Sequence, residues 1–248
     1  MFITILKMAG ITALYVILTI LLWRRTRGKR VFWGGKLLIG LIYGLCSVLS
    51  THFAIDYNHM LLNVRDLGPL AAGLFFDPVS GIIAGLIGGI ERYIAGAYWG
   101  VGSYTRIACS VSTCLAGFLS AFLHTRLFRR KMPSTAYAFI MGAVMEVFHM
   151  YVVIITHRDD MEMALYVVKV CAVPMIFFTG LGLAACSVSL KIMAGEWSNP
   201  FRRVERENVP LSHRFQVSLF IVSFAMLGVH LLFSFFVQTN ISDRKSVV

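Results

Sequence analysis

Charge is scarce in this sequence, and acidic charge scarcest: 12 Asp+Glu and 23 Lys+Arg among 248 residues, 14% charged in all. A soluble domain carries about 25% charged and about 45–50% apolar residues. This chain is 58% apolar, with mean hydropathy +0.75, which excludes a soluble enzyme and a disordered tail. Its five cysteines (Cys46, Cys109, Cys114, Cys171, Cys186) form no CxxC and no Cys/His spacing of a zinc site. They sit in or beside apolar runs and read as membrane-core residues, so a disulfide scaffold is excluded too. No nucleophile elbow, Walker motif or kinase signature is present, and the GxGxxG-like patterns follow no strand. The chain by itself is therefore expected to catalyse nothing and to hold no cofactor and no metal.

The apolar residues are gathered into runs that reach the roughly 20 residues a bilayer-crossing helix needs. The expected fold is an all-α, polytopic membrane helical bundle. The first run, Phe2 to Trp23, lacks a small-residue cleavage site and ends in the basic stretch Arg24 to Arg30, so it reads as a retained span.

Positive charge marks cytoplasmic loops, and three basic clusters stand out: Arg24 to Lys36, Arg126 to Lys131 and Arg202 to Arg214. With all three inside, the N-terminus lies outside, and spans follow at Leu37 to about Ile55, about Thr105 to Leu123, Ser134 to Thr156 and Met163 to about Ile192. An even number of crossings must lie between Asp66 and Gly102. Two short helices, about His59 to Phe76 and Val79 to Ala95, broken at Asp77-Pro78, satisfy this, because proline disfavours helix in the residue before it. A re-entrant hairpin buried in protein satisfies it equally.

A short outer loop, His157 to Glu162, precedes the Met163 span, and a polar linker, Gly195 to His213, precedes a last span from Phe215 to Val237. The expected organisation is a first span and basic loop over 1–35, a five-transmembrane unit over 36–193, a linker over 194–213, a last span over 214–238 and an outer tail over 239–248. Ending so soon after a span, the chain reads either as cut where something else should start or as a receptor with no output module of its own.

Ionisable residues inside spans are expensive and therefore informative. Arg65 opens the first short helix and Arg92 closes the second, which puts both guanidiniums at the outer end of one helical pair. Cys109 and Ser112, and then Glu146 and His149, repeat an i, i+3 spacing at the same level. Lys169 lies about two turns inside the next span.

Arginine offers a planar fork suited to a carboxylate, and two arginines facing one cavity are best reconciled by a small anion. The competing reading pairs Arg65 with Asp66 or Glu146, and Arg92 with Glu91, without any ligand. Lys169 and Arg106 are expected to snorkel to headgroups. Glu146 and His149 are read as a hydrogen-bonded pair shaping the cavity rather than a metal site. His52, His59 and His157 are expected in water or headgroups. Gly81, Gly85 and Gly89, at i, i+4 and i+8, form a small-residue ridge for close helix packing. Gly88 and the Gly96/Gly100/Gly102 loop are expected to add freedom at the outer mouth.

At these positions the sequence resembles the LytS/YhcK-type five-transmembrane receptor family, the membrane sensor of bacterial histidine kinases, diguanylate cyclases and phosphatases. The resemblance is carried by Asn63-Val64-Arg65-Asp66, Gly68-Pro69, Gly73 with Asp77-Pro78 and Gly81, and Gly88-Gly89-Ile90-Glu91-Arg92-Tyr93. It continues through Ala108 to Thr113 with Ala116-Gly117, Glu146 with His149-Met150, and Pro174-Met175, so that it runs in order from about Lys36 to Ile192.

It implies a fold similar to the substrate-binding subunits of energy-coupling-factor transporters and, in one branch, recognition of pyruvate through two arginines, a cysteine and a serine. By motif these are Arg65, Arg92, Cys109 and Ser112, with Asn63, Glu146 and His149 as further candidates. Two departures stand out: a longer Tyr98 to Tyr104 segment, able to lid the pocket, and Thr179 in place of an asparagine.

The expected function is a sensory receptor domain of the bacterial inner membrane, binding a small carboxylate from outside and signalling to a cytoplasmic output domain or partner kinase, as a homodimer. The alternatives are a solute-binding subunit or permease of a transporter, and an adaptor held by lipid or protein contacts. The +11 charge is explained by basic loops meeting anionic membrane lipid, with no nucleic acid.

Overall fold

The computed structural model describes residues 2–28, 32–57, 60–196 and Ser218. The linker beyond Glu196, the last span and the tail thus lie outside the described residues, as does His59. Seven α-helices are described: α1 (Phe2–Thr26), α2 (Trp33–His52), α3 (Leu67–Phe75), α4 (Pro78–Tyr98), α5 (Arg106–Phe122), α6 (Thr135–Thr156) and α7 (Met161–Ala194). A hairpin of two short strands, β1 (Ile55–Tyr57) and β2 (Met60–Leu62), joins α2 to α3, with Ile55 opposite Leu62 and Tyr57 opposite Met60. Six helices are long and apolar enough to cross a membrane, and the protein is a multi-pass membrane bundle.

Helix ends follow local chemistry. Asp77 caps α4, its side chain accepting from the Val79 amide at 3.0 Å, and Pro78 occupies the first turn, where its missing N–H costs nothing. The Ser134 hydroxyl accepts from the Tyr137 amide to start α6, and Asp160 accepts from Met163 to start α7. Gly195, at φ +77°, ends α7 in the left-handed conformation. Expected boundaries move accordingly. The second span begins at Trp33 rather than Leu37, and the outer loop before α7 shrinks to a single tight turn over Arg158–Asp160.

The largest departure concerns the expected short helix from His59 to Phe76. Its first part is β2, residues 63–66 are not helical, and α3 has only nine residues, about 14 Å of rise. The reason is tertiary. Ser47 of α2 donates to the Arg65 carbonyl at 3.0 Å, Asn63 Oδ1 accepts from the Arg65 amide at 3.3 Å, and turn bonds run from Leu67 to Val64 and from Gly68 to Arg65. Non-helical backbone at membrane depth is tolerated where protein buries it, and Asn63 through Asp66 are all buried.

The break at Asp77-Pro78 lies beside the first turn of α2, where Lys36 Nζ is 2.9 Å from Asp77 and Ser80 donates to the Lys36 carbonyl. At its other end α4 reaches the last turn of α2, with His52 2.6 Å from Glu91. Between the hairpin and Tyr98 the chain therefore passes along α2 and returns, with α3 too short to stand among the six membrane-length helices.

The glycine ridge packs helices backbone to backbone. A Cβ on Gly81 would sit 2.7 Å from the Gly73 Cα, and one on Gly85 would sit 2.9 Å from the Gly117 Cα. Gly88 belongs to the same packing, facing Ser47, rather than to a flexible mouth. Gly96 likewise lies inside α4, against Arg106. Of the glycines expected at the outer mouth, Gly100 and Gly102, at φ +70° and +54°, use glycine's conformational freedom. Large apolar side chains such as Leu14, Ile17, Leu41 and Leu45 point outward, as a lipid-facing surface requires.

Candidate functional site

The hairpin end of the bundle holds a buried polar cluster to which α4, α5, α6, α7 and the 63–66 segment all contribute. Arg65 is 0% exposed: its Nε donates to Thr113 at 2.8 Å and its Nη1 to Thr51 at 3.4 Å, while Nη2 is buried without a hydrogen-bond partner. Asp66 lies 3.8 Å from Arg65 Nε and accepts from Thr113 at 2.6 Å and Ser112 at 3.2 Å.

His149 bridges the rest. Its Nδ1 faces two carboxylates, Glu146 at 3.3 Å and Asp66 at 3.5 Å, and its Nε2 lies 3.3 Å from the Cys109 sulfur. Glu146 is steadied on its other oxygen by the Thr179 hydroxyl at 2.8 Å.

Arg92 approaches from α4. It donates to the carbonyls of Val101 at 2.8 Å and Gly102 at 2.7 Å, and more loosely to Thr105. Both guanidiniums interact with the Cys109 sulfur, so Arg65, Arg92, Cys109 and His149 converge on one point.

Five of the seven candidates thus meet directly there or one bond away: Arg65, Arg92, Cys109, Glu146 and His149, with Ser112 reaching the cluster through Asp66. Asn63 is different, since it serves the Arg65 backbone rather than the cluster. Lys169 is exposed and stands apart, and Arg106 lies over the Tyr93 ring at 5.9 Å.

The competing reading is met in one half: Arg65 lies 3.8 Å from Asp66, but the pairing of Arg92 with Glu91 does not occur. Glu91 pairs with His52, and among the described residues Arg92 has no carboxylate partner. His157 is also not left to solvent, since its ring nitrogens lie against the carbonyls of Tyr104 and Val153.

Sequence reasoning passed over Asp66, Thr113, Thr51 and Thr179 as site residues. Asp66 adjoins Arg65 and Thr113 adjoins Ser112, so adjacency was an available signal. Thr179 stood out only as a replacement for the family's asparagine, and for Thr51 only the fold supplies a signal.

Asp66, Glu146 and His149 offer ligand atoms within 4.8 Å of one another, a spacing that suits a metal. Their oxygens, however, are occupied by Ser112, Thr113 and Thr179, and the Arg65 cation 3.8 Å away opposes a second positive charge.

Over the cluster lies the 99–105 segment, tied down by Arg92 and by Tyr104, whose ring stacks on His157 at 4.2 Å and whose hydroxyl donates to the Asp160 carbonyl. Burial, and after it the nearby Asp160 carboxylate, raise the Tyr104 phenol pKa above its ordinary value, so this contact stays neutral at physiological pH.

Comparison with known proteins places these features in a family. The chain is 29% identical over 152 residues to the sensor histidine kinase BtsS of Escherichia coli, covering 60% of this chain and 26% of that protein. It is 30% identical over 115 residues to the sensor histidine kinase YpdA of E. coli, covering 46% and 20%. It is 28% identical over 204 residues to the sensor protein LytS of Staphylococcus epidermidis, covering 74% and 33%. The chain therefore spans about a fifth to a third of the length of these relatives. No solved structure matches it. Residues 20–193 match the family described as 5TMR of 5TMR-LYT, and the chain belongs to that family of five-transmembrane sensor domains, the membrane part of LytS-type signal-transduction proteins.

Proposed function

We propose that the hairpin end faces the outside of the cell and receives a small carboxylate between Arg65 and Arg92, and that this binding is the sensory event of a histidine-kinase-type receptor. The observation that carries the proposal is the imbalance around Cys109. Two buried guanidiniums face one thiol, one with a bare Nη2 and the other with no acidic partner among the described residues. Arg65 has Asp66 beside it and Arg92 has no such partner; an uncompensated buried charge costs several kcal/mol, and an anion at this point would offset that cost for Arg92 and give the bare Arg65 Nη2 an acceptor. The orientation rests on the basic clusters around Arg24–Lys36 and Arg126–Lys131, which lie at the bundle end opposite the hairpin.

The Arg92 fork gives a route from binding to signal. It now holds the Val101 and Gly102 carbonyls, and a carboxylate prefers the same two parallel donors. Ligand entry would exchange one set of bonds for the other and release the 99–105 segment. A ligand shifts such an equilibrium only through differential affinity for the two states, and this exchange supplies it. The change passes to an output domain on the same polypeptide, or to a partner kinase, with a homodimer as the working unit.

Thermal stability of the purified chain in detergent, measured against a panel of small carboxylates, tests the proposal. A ligand at 100 times its dissociation constant stabilises by about 2.7 kcal/mol. A shift with one class of acid that disappears in both Arg65→Ala and Arg92→Ala is the expected result. No shift with any acid would overturn it. Accumulation of labelled acid inside proteoliposomes would favour a transport role instead.

A further inference from the structure

Away from the polar cluster, α1 and α2 are joined by a hydroxyl pair and parted above it. The Thr19 hydroxyl lies 2.6 Å from that of Tyr43, while α1 otherwise packs chiefly on α7 and scarcely on α2. From that bond toward the hairpin, a cavity of about 520 Å³ lies between the two helices, walled by Ile11, Leu14 and Leu18 on one side and by Cys46, Leu49 and Phe53 on the other. A second cavity, of about 700 Å³, continues it. The two share Ile11, Leu14 and Phe53, and the second adds Lys7, Gly10, His52 and Asp56. Together they make a cleft with an apolar floor and a charged mouth.

The mouth has one charge of each sign to spare. His52 is taken by Glu91, whereas Lys7 and Asp56 are exposed and, among the described residues, make no ion pair. The depth matches one leaflet: from Lys7 to Leu18 the helix rises about 16 Å, and half of a hydrocarbon core is about 15 Å. The bore is narrow as well. A helix about 10 Å across would fill roughly 800 Å³ over the run from Cys46 to Phe53, more than the 520 Å³ present, so a flexible chain fits where a second helix does not.

We propose that this cleft holds one phospholipid of the leaflet at the hairpin end, with an acyl chain between α1 and α2 and a zwitterionic ethanolamine headgroup at the mouth, its phosphate on Lys7 and its ammonium on Asp56. A choline headgroup offers the same phosphate but no N–H for the Asp56 carboxylate. A glycerol headgroup offers no cation at all. Occupancy sets the separation of α1 and α2 at this end, and the site stands whether or not an acid binds at Arg65.

The test uses the full chain in detergent, stripped of lipid, and native mass spectrometry with palmitoyl-oleoyl phosphatidylethanolamine, phosphatidylcholine and phosphatidylglycerol as probes. One ethanolamine lipid is expected to stay bound, at least about fivefold more tightly than either of the others. Asp56→Asn should lower that lipid to the level of the choline lipid, and Lys7→Gln should weaken all three alike. Gly10→Phe is the blocking variant. A Cβ at Gly10 meets nothing within 4 Å, so the ring enters the cleft without displacing protein, and lipid retention should fall while the melting temperature holds. In vesicles of the same three lipids, an ethanolamine lipid with a photoactivatable acyl chain should cross-link to the cleft residues of α1 and α2.

Equal retention of the three lipids, or cross-links spread over all the lipid-facing helices, would mean annular lipid only and would overturn the proposal. A Gly10→Phe protein that keeps the lipid as the native one does would overturn it too. So would a dimer that Gly10→Phe abolishes with no lipid retained, which would assign the cleft to a second copy of the chain.

Discussion

The two ends of this bundle use similar polar residues to opposite effect. At the basic end, side chains finish the backbone. Lys36 pairs with Asp77, Asp77 caps α4, Ser80 donates to the Lys36 carbonyl, His124 lies 3.0 Å from the Leu74 carbonyl, and the Arg27 guanidinium donates to the carbonyls of Met193 and Ala194 at the end of α7. At the hairpin end, polar groups face each other across several elements, and a donor remains unmatched after every contact is made. A polar group that satisfies a neighbouring carbonyl or amide is explained by the fold. Arg65, at 0% exposure with one donor unmatched among charged neighbours, is explained by the fold only in part.

Substitutions at the two ends should therefore separate stability from ligand response. The largest effect is expected from Arg65→Ala, which strands Asp66 and two threonine hydroxyls in the interior. Breaking a buried charge pair in this way costs about 3–5 kcal/mol, read as a lower melting temperature in detergent, and ligand-induced stabilisation should be lost with it. Gly117→Val comes next, because a Cβ there would lie 2.6 Å from the Gly81 carbonyl oxygen. Overpacking of this kind costs about 1–3 kcal/mol, and a Gly117→Val protein as stable as the native one would contradict the backbone contact. Asp77→Ala removes a helix cap and should cost about 1 kcal/mol while leaving the dissociation constant for the acid unchanged. A matching change in affinity would show the two ends to be coupled.

The smallest stability effect belongs to Lys36→Ala, below about 1 kcal/mol for a partly exposed pair. Arg92→Ala sharpens the comparison in a different observable, since the 99–105 amides should exchange hydrogen faster once the Val101 and Gly102 carbonyls lose their donor. Unchanged exchange there would detach Arg92 from the loop.

Much of this was legible in the sequence, and the parts that were not share a cause. Long apolar runs announce membrane helices because the bilayer sets their length, and the Asp77-Pro78 break follows from proline geometry. The i, i+3 pairs Cys109/Ser112 and Glu146/His149 share a helix face by periodicity alone. The stretch from His59 to Phe76 misled because a short buried apolar run looks the same as strand or helix. What decides it is Ser47, eighteen positions earlier in the chain, whose hydroxyl sits next to the Arg65 carbonyl only after folding. Arg92 shows the same limit. Glu91 is its neighbour in sequence, but adjacent helical positions point to different faces, and Glu91 turns to His52 while Arg92 turns inward.

The meeting of Gly73, Gly81, Gly85 and Gly117, main chain against main chain, has a mechanical side. Ser120 is the side chain that reaches between α3, α4 and α5 along this seam, and its bonds to the Pro69 and Gly117 carbonyls hold it in place, so little there can change rotamer to absorb a displacement. A pull on Arg92 is then passed on as the shift of a stiff three-helix plate, and the joints that allow it lie at the plate's margins, at Asp77-Pro78 and in the segment around Gly100 and Gly102.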